Sequence, residues 1–156
     1  VLFTGSYEHT IDSKNRLAIP ADIRSRWSPE VDGSAWYAVP WTGGSVRLYS
    51  EAFFTERSRL YSSTLTPDPD QAELLTTLFG LARRVEMDSA GRVRLPDETI
   101  ELTGLTPEVA LVGAGDWLEI RDRATWKNSL RARLEALPDL TARLERKRAG
   151  DNGTSG

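Results

Sequence analysis

The sequence predicts an α+β fold made of two pseudo-symmetric halves. Three observations predict it. A nine-residue phrase occurs twice, as Asp12-Ser13-Lys14-Asn15-Arg16-Leu17-Ala18-Ile19-Pro20 and as Asp88-Ser89-Ala90-Gly91-Arg92-Val93-Arg94-Leu95-Pro96, 76 residues apart without a gap. Val46-Arg47-Leu48-Tyr49-Ser50 is echoed by Leu118-Glu119-Ile120-Arg121-Asp122 at an offset of 72, so the second copy is shorter in its loops. In both halves short alternating apolar runs are interleaved with segments of helical spacing, the mixed pattern of strands and helices. A repeat of this length means that one structural unit is used twice.

The elements follow in order. Phe3, Tyr7, His9 and Ile11 alternate as in a strand across residues 1–11. In the phrase, Asp followed by Ser opens a turn, because short side-chain oxygens accept from nearby backbone N–H groups. Asn15 and Gly91 share one repeat position, and both residue types tolerate positive φ, so a left-handed turn residue is expected there. Arg16 or Arg92 then starts a strand, which Pro20 or Pro96 ends while opening a short helix. The phrase is a strand–turn–strand that presents one Arg beside its tip, twice per chain. Ala21–Trp27 reads as a short helix, and Ser28-Pro29 and Asp32-Gly33 as turns. Trp36–Val39 and Val46–Tyr49 read as a hairpin whose loop runs from Pro40 to Ser45. Ser50 suits the N-cap of a helix from Glu51 to about Ser62. A Pro-broken stretch from Thr64 to Pro69 leads to a helix with Leu74, Leu75, Leu78, Phe79 and Ala82 on one face, fit for a core or a subunit contact.

The second half repeats this order. It has a strand from Arg83 to Met87, the phrase, a helix from Asp97 to Leu102 stopped by Gly104, and strands at Val109–Val112 and Trp117–Ile120. Trp126, Leu130, Leu134 and Leu137 mark a last helix, which Pro138 is expected to break. The expected division is 1–66 for the first half, 67–82 for a linking helix, 83–126 for the second half, 127–149 for a C-terminal helix and 150–156 for a disordered Gly/Ser/Asn-rich tail.

Composition narrows the function. There is no Cys and only one His, His9, in 156 residues, so thiolate or His-rich metal sites are excluded and imidazole-based catalysis is disfavoured. No enzyme activity, cofactor or small-molecule substrate is expected. Gly113-Ala114-Gly115 lacks the third glycine of a dinucleotide loop and is followed by a strand pattern. No signal-like leader is visible, and no apolar run approaches the roughly 20 residues that span a bilayer, so no membrane partner is expected and a cytoplasmic location is. The net charge is −3, yet binding to nucleic acid depends on where the cations lie, and two Arg-bearing turns form a local positive patch.

The two Asp-x-x-x-Arg phrases in register, each with an apolar strand and a Pro behind it, closely resemble those of MraZ proteins, members of the AbrB/SpoVT-like superfamily of swapped-hairpin DNA binders. The similarity covers about residues 1–148. It implies two SpoVT-AbrB-like halves forming a small antiparallel β-sheet or barrel, flanked by linking and C-terminal helices. It further implies a nucleoid-associated transcriptional regulator, a repressor of the division and cell-wall gene cluster that includes its own gene. Double-stranded DNA is the implied partner, through short upstream repeats, together with copies of the chain itself in a ring, an octamer or larger. On this resemblance Arg16 and Arg92 take the DNA-contacting Arg position and Lys14 a basic position of the first turn. Arg24 takes a basic position of the wider superfamily, where the second half has Ile100. Asn15 and Arg94 complete the expected contact set. Asp12, Ser13, Asp88, Ser89 and Gly91 are expected to build the turns. Asn15 stands where Gly is usual, and Ala90 leaves the second turn without a Lys. The alternative is an antitoxin-like protein of the same superfamily that binds DNA and a protein partner. That class uses a long disordered segment to wrap its toxin, and the tail here has only a few residues.

Overall fold

A computed structural model describes residues 1–61 and 64–153. It comprises two units, Val1–Arg123 and Ala124–Gly156. The first unit is mixed α+β, as expected. In chain order it contains β1 (Ser6–Thr10), β2 (Arg16–Ala18), α1 (Ala21–Arg26), α2 (Pro29–Asp32), β3 (Ala35–Trp41), β4 (Ser45–Ser50) and α3 (Glu51–Ser58). Then follow α4 (Pro69–Leu81), β5 (Arg83–Glu86), β6 (Arg92–Arg94), α5 (Asp97–Thr103), β7 (Glu108–Gly113) and β8 (Leu118–Asp122).

Six strands form one antiparallel sheet in the order β1-β7-β8-β4-β3-β5, and β2 pairs with β6 in a separate two-stranded ribbon. The order reveals an exchange. The first strand of each half leaves its own hairpin and lies on the hairpin of the other, β1 on β7 and β5 on β3. The registers match across the repeat. Tyr7 faces Leu111 and Arg83 faces Ala38, equivalent pairs in which the first strands are offset by 76 residues and the hairpin strands by 73. The two hairpins meet where β4 pairs with β8, Leu48 opposite Leu118. Trp36, Leu48, Leu111, Leu118 and Ile120 are fully buried beneath the sheet, and Leu17, Ile19, Val93 and Leu95 of the two phrases join them. Each such aliphatic side chain contributes about 1.5–3 kcal/mol by leaving water, which fixes the short ribbon against the body.

Several local expectations hold. The Ser50 hydroxyl accepts from the Phe53 N–H at 3.3 Å at the start of α3, and Gly104 ends α5 with φ of +67°. Others are corrected. Ser28-Pro29 and Asp32-Gly33 bracket a single helical turn, because Pro29 supplies a preset φ and the Asp32 carboxylate accepts the Ser28 N–H at 2.8 Å. β3 continues through Pro40 to Trp41; β5 reaches only Ala38, so Pro40 has a neighbouring strand on one side alone and its missing N–H is tolerated. α3 ends at Ser58, and Ser62 lies outside the described residues. The apolar face of α4 touches the core only in part, since none of its residues is fully buried.

α6 (Arg123–Gly153) supplies the second unit. Pro138 does not break it. Its fixed φ is helical, and the one carbonyl it leaves unpaired, that of Leu134, belongs to an exposed residue of the helix. The helix also includes residues 150–153, where the composition suggested disorder; residues 154–156 lie outside the described residues.

Candidate nucleic-acid interface

Each turn is built by its first Asp. The Asp12 carboxylate accepts the backbone N–H groups of Lys14 and Arg16 through Oδ1, both at 2.9 Å, and the Arg16 Nε through Oδ2 at 2.7 Å. The Asn15 N–H donates to the Asp12 carbonyl at 3.0 Å. The second turn repeats this atom for atom. Asp88 Oδ1 accepts from Ala90 and Arg92 at 2.9 Å each, and Oδ2 accepts the Arg92 Nε at 3.0 Å. The Gly91 N–H closes onto the Asp88 carbonyl at 3.0 Å. The backbone N–H of the Arg, helped by its guanidinium, holds each carboxyl below the usual 3.8. Ser13 and Ser89 sit exposed at the tips and make no side-chain hydrogen bond among the described residues. The Asp alone organises the turn, which the Asp-Ser reading shared between two residues.

The same contacts aim the arginines. Each Asp grips Nε, and the terminal nitrogens of Arg16 and Arg92 find no partner among the described residues. Their side chains are 32% and 35% exposed. An exposed ion pair adds little stability, so its consequence here is orientation. The free edge of a planar guanidinium offers a two-pronged donor to an acceptor from outside.

The two turns, distant in sequence, are neighbours in space. In the β2–β6 ribbon Arg16 faces Arg94, Leu17 faces Val93 and Ala18 faces Arg92. The Ile19 N–H donates to the Gly91 carbonyl at 2.9 Å, and the Leu95 N–H to the Asn15 carbonyl at 2.8 Å, so each turn accepts from the other half's strand. Leu17 and Val93 point into the core, which leaves Arg16, Ala18, Arg92 and Arg94 on the outer face. Three of those four are arginines. Like charges directly opposite one another are unfavourable in a ribbon. Asp12 compensates Arg16, but Arg94 has no ion-pair partner among the described residues. The outer face therefore carries uncompensated positive charge on a chain that is acidic as a whole.

Left-handed backbone occurs at the expected place in both turns, with φ of +61° at Asn15 and +76° at Gly91. Beyond that the turns differ. Asn15 Nδ2 donates to Asp97 at 2.5 Å. Arg24 lies over Gly91, its Cδ only 2.4 Å from where a β-carbon there would sit, and its Nε donates to the Ile19 carbonyl at 3.1 Å. The repeat equivalent of Arg24 in the second half is Ile100, a shorter and uncharged side chain. Arg24 thus belongs with the second turn, where it supplies the cation that Ala90 does not. The first turn groups Lys14, Arg16 and, across the ribbon, Arg94. Asp97 was not legible as a turn residue, since its link to Asn15 spans 82 positions. Among the described residues no cluster of His, Asp and Glu is placed to hold a metal ion, and no helix is long and apolar enough to cross a membrane.

Comparison with known proteins bears on the same features. Residues 78–146, which include the second turn, match the family model described as "MraZ protein, putative antitoxin-like". The chain is 33% identical over 124 residues to a protein of Prosthecochloris aestuarii, covering 72% of this chain and 78% of that one. It is 32% identical over 120 residues to one of Chlorobium luteolum, again covering 72% and 78%. A relative from Dehalococcoides mccartyi is 29% identical over 145 residues, which is 92% of this chain and 99% of the relative. All three carry the name transcriptional regulator MraZ.

Proposed function

Because the chain belongs to the MraZ family, we propose that it is a sequence-specific DNA-binding transcriptional regulator whose two Asp-x-x-x-Arg turns make the contact. The regulator role, which is not enzymatic, is the one named for its relatives. One observation supports the site above the rest. Two turns of identical construction are joined in a single ribbon, and Arg16, Arg92 and Arg94 occupy its outer face.

The chemistry follows from that face. Arg16 and Arg92, each held through Nε, direct their outer nitrogens at a guanine edge in the major groove. Lys14, Arg24 and Arg94 meet phosphates and set the register of the protein on the duplex. Asn15 supports the first turn through Asp97. One pair of turns contacts only a few base pairs. Holding several copies side by side in a ring raises the effective concentration of each next contact, so affinity accumulates over short repeated elements. The target we infer is the region upstream of the division and cell-wall cluster that includes the protein's own gene. Occupancy there represses transcription and places the protein on the nucleoid.

A gel-shift scan of DNA from directly upstream of the gene tests this. Wild-type protein is expected to shift fragments carrying short direct repeats and to leave other fragments free. Arg16→Ala is expected to weaken the shift by about 10- to 100-fold while circular dichroism and molecular mass stay native. Undiminished binding by Arg16→Ala would overturn the site.

A further inference from the structure

We propose that an aromatic cavity on the far face of the six-stranded sheet binds a small planar anion, an aromatic ring bearing a carboxylate or a phosphate, with Arg47 and Arg57 as its cationic contacts. The site is set apart from the turns and does not depend on DNA binding.

Alternation along β4 separates two layers. Val46 and Leu48 point into the aliphatic core that also holds Leu17 and Val93, so Arg47 and Tyr49 point to the opposite face. There α3 and α4 lay down a second layer, made of rings. Tyr37 stacks on Phe54 with centroids 4.4 Å apart, Phe54 meets Phe79 edge-on at 5.8 Å, and Tyr49 lies parallel to Phe53 at 6.0 Å. The layer is not closed. Beside Tyr49, Phe53 and Phe79 it leaves a cavity of about 380 Å³, walled further by Trp41, Trp117 and Arg47. That volume suits a small ligand, and walls made of rings suit a flat guest that can stack on them.

Arg47 decides the charge of the guest. Its guanidinium lies 3.8 Å from the ring centre of Trp41 and 4.4 Å from that of Trp117, a cation–π contact with both indoles. Its Nε is sealed from solvent and has no hydrogen-bond partner among the described residues. Its Nη1 meets the Tyr49 hydroxyl only at 3.4 Å. Glu119 stands directly opposite on β8, but its carboxylate pairs with Arg121 at 2.8 Å and accepts the Trp117 Nε1 at 3.1 Å. Arg57 of α3 lines the same cavity, its guanidinium 5.2 Å from the Phe53 ring centre. Neither Arg47 nor Arg57 has an ion-pair partner among the described residues. Asp116 is the one acid among the described lining residues, and it is exposed. Cationic charge drawn out of water is costly unless an anion answers it. A neutral apolar guest would leave both guanidiniums unanswered, and an inorganic anion would leave the rings bare. A molecule with a flat ring and an anionic group satisfies both.

The test is calorimetric titration of the full chain with a matched set of probes: 1-naphthoate, 1-naphthyl phosphate and the neutral 1-naphthalenemethanol. At least one anion is expected to saturate one site per chain, about 10-fold or more tighter than the alcohol. The tighter anion identifies the head group as carboxylate or phosphate. Arg47→Met keeps the stem and removes the charge, and is expected to weaken that anion by about 10-fold or more. Arg57→Glu alters an exposed position of α3 and decides the matter if circular dichroism shows that Arg47→Met does not fold; it is expected to weaken the anion and leave the alcohol unchanged. No saturable binding of either anion up to millimolar concentration would overturn the site. Equal affinity for the alcohol and the anions, or undiminished anion binding by Arg57→Glu, would overturn it as well.

Discussion

Arg24 of α1 lies across Gly91, with its Nε 2.6 Å from the site a β-carbon would occupy, so a cation of the first half sits on the turn of the second. The repeat partner of Gly91 is Asn15 and that of Arg24 is Ile100. The two departures from symmetry are one exchange: where the arm is long the turn is bare, and where the turn carries a side chain the arm is short.

This makes substitutions at equivalent positions unequal. Gly91→Asn meets both a positive φ and the Arg24 side chain, and is expected to cost about 1–3 kcal/mol, the range for overpacking at a filled site. Adding Arg24→Ile, which copies the first turn, is expected to recover much of that loss. Asn15→Gly relieves a left-handed residue while losing one exposed hydrogen bond, and is expected to stay within about 1 kcal/mol of wild type. Urea unfolding of the four proteins checks the order, and equal costs at both turns would refute the exchange.

Arg16→Ala and Arg92→Ala each remove a two-pronged donor from the outer face. Each is expected to weaken binding to the cognate repeat by about 10- to 100-fold, corresponding to roughly 1–3 kcal/mol for a bidentate base contact, with little change on unrelated DNA. Fluorescence anisotropy on cognate and scrambled duplexes separates these outcomes. Equal losses on both duplexes would move the arginines from base reading to phosphate binding.

Lys14, Arg24 and Arg94 are assigned to phosphates, which makes a different prediction. Replacing any one by Ala is expected to lower the slope of log affinity against log salt by about 0.9 per turn engaged, while preference among sequences is retained. An unchanged slope in Arg24→Ala would show that Arg24 serves only to pack on Gly91.

The Asp carboxyls set the acid limit. Asp12 and Asp88 titrate below the usual 3.8 in the folded protein because backbone N–H groups and an arginine favour their charged form. Between the folded and unfolded values the unfolded chain binds more protons, so folding gains from these groups as pH rises. Their contribution is complete above the unfolded value and is lost as pH falls through the folded one. Turn structure is expected to be constant from pH 5 to pH 8. The amide resonances of Lys14, Arg16, Ala90 and Arg92 are expected to shift with midpoints below 3.8, and Asp12→Asn is expected to abolish the shift at Lys14. A midpoint at or above 3.8 would show that the carboxylates do not hold the turns.

The turns were legible because their physics is local. An Asp four residues before an Arg, with Asn or Gly between, specifies the hydrogen bonds, the positive φ and the direction of the arginine within five residues. Long-range pairing was not legible. Nothing in Tyr7 or Arg83 says which hairpin its strand will join, since either offers the same alternating partners. The contacts of Arg24 with Gly91 and of Asn15 with Asp97 depend on that pairing and were hidden with it. Pro138 misled for another reason: the helix-breaking rule supposes that the freed carbonyl has nowhere to go, and Leu134 is exposed.

Because β1 is bound to β7 and β5 to β3, the backbone between the halves does no mechanical work in holding them. Nicked in the exposed stretch from Thr64 to Thr66, the protein would remain in one piece, as complementing fragments do. Either fragment made alone would bear a bare strand and a vacant hairpin edge, and would pair with its own twin. A tandem gene fusion of such a self-pairing ancestor yields this chain, and it frees each turn to diverge on its own.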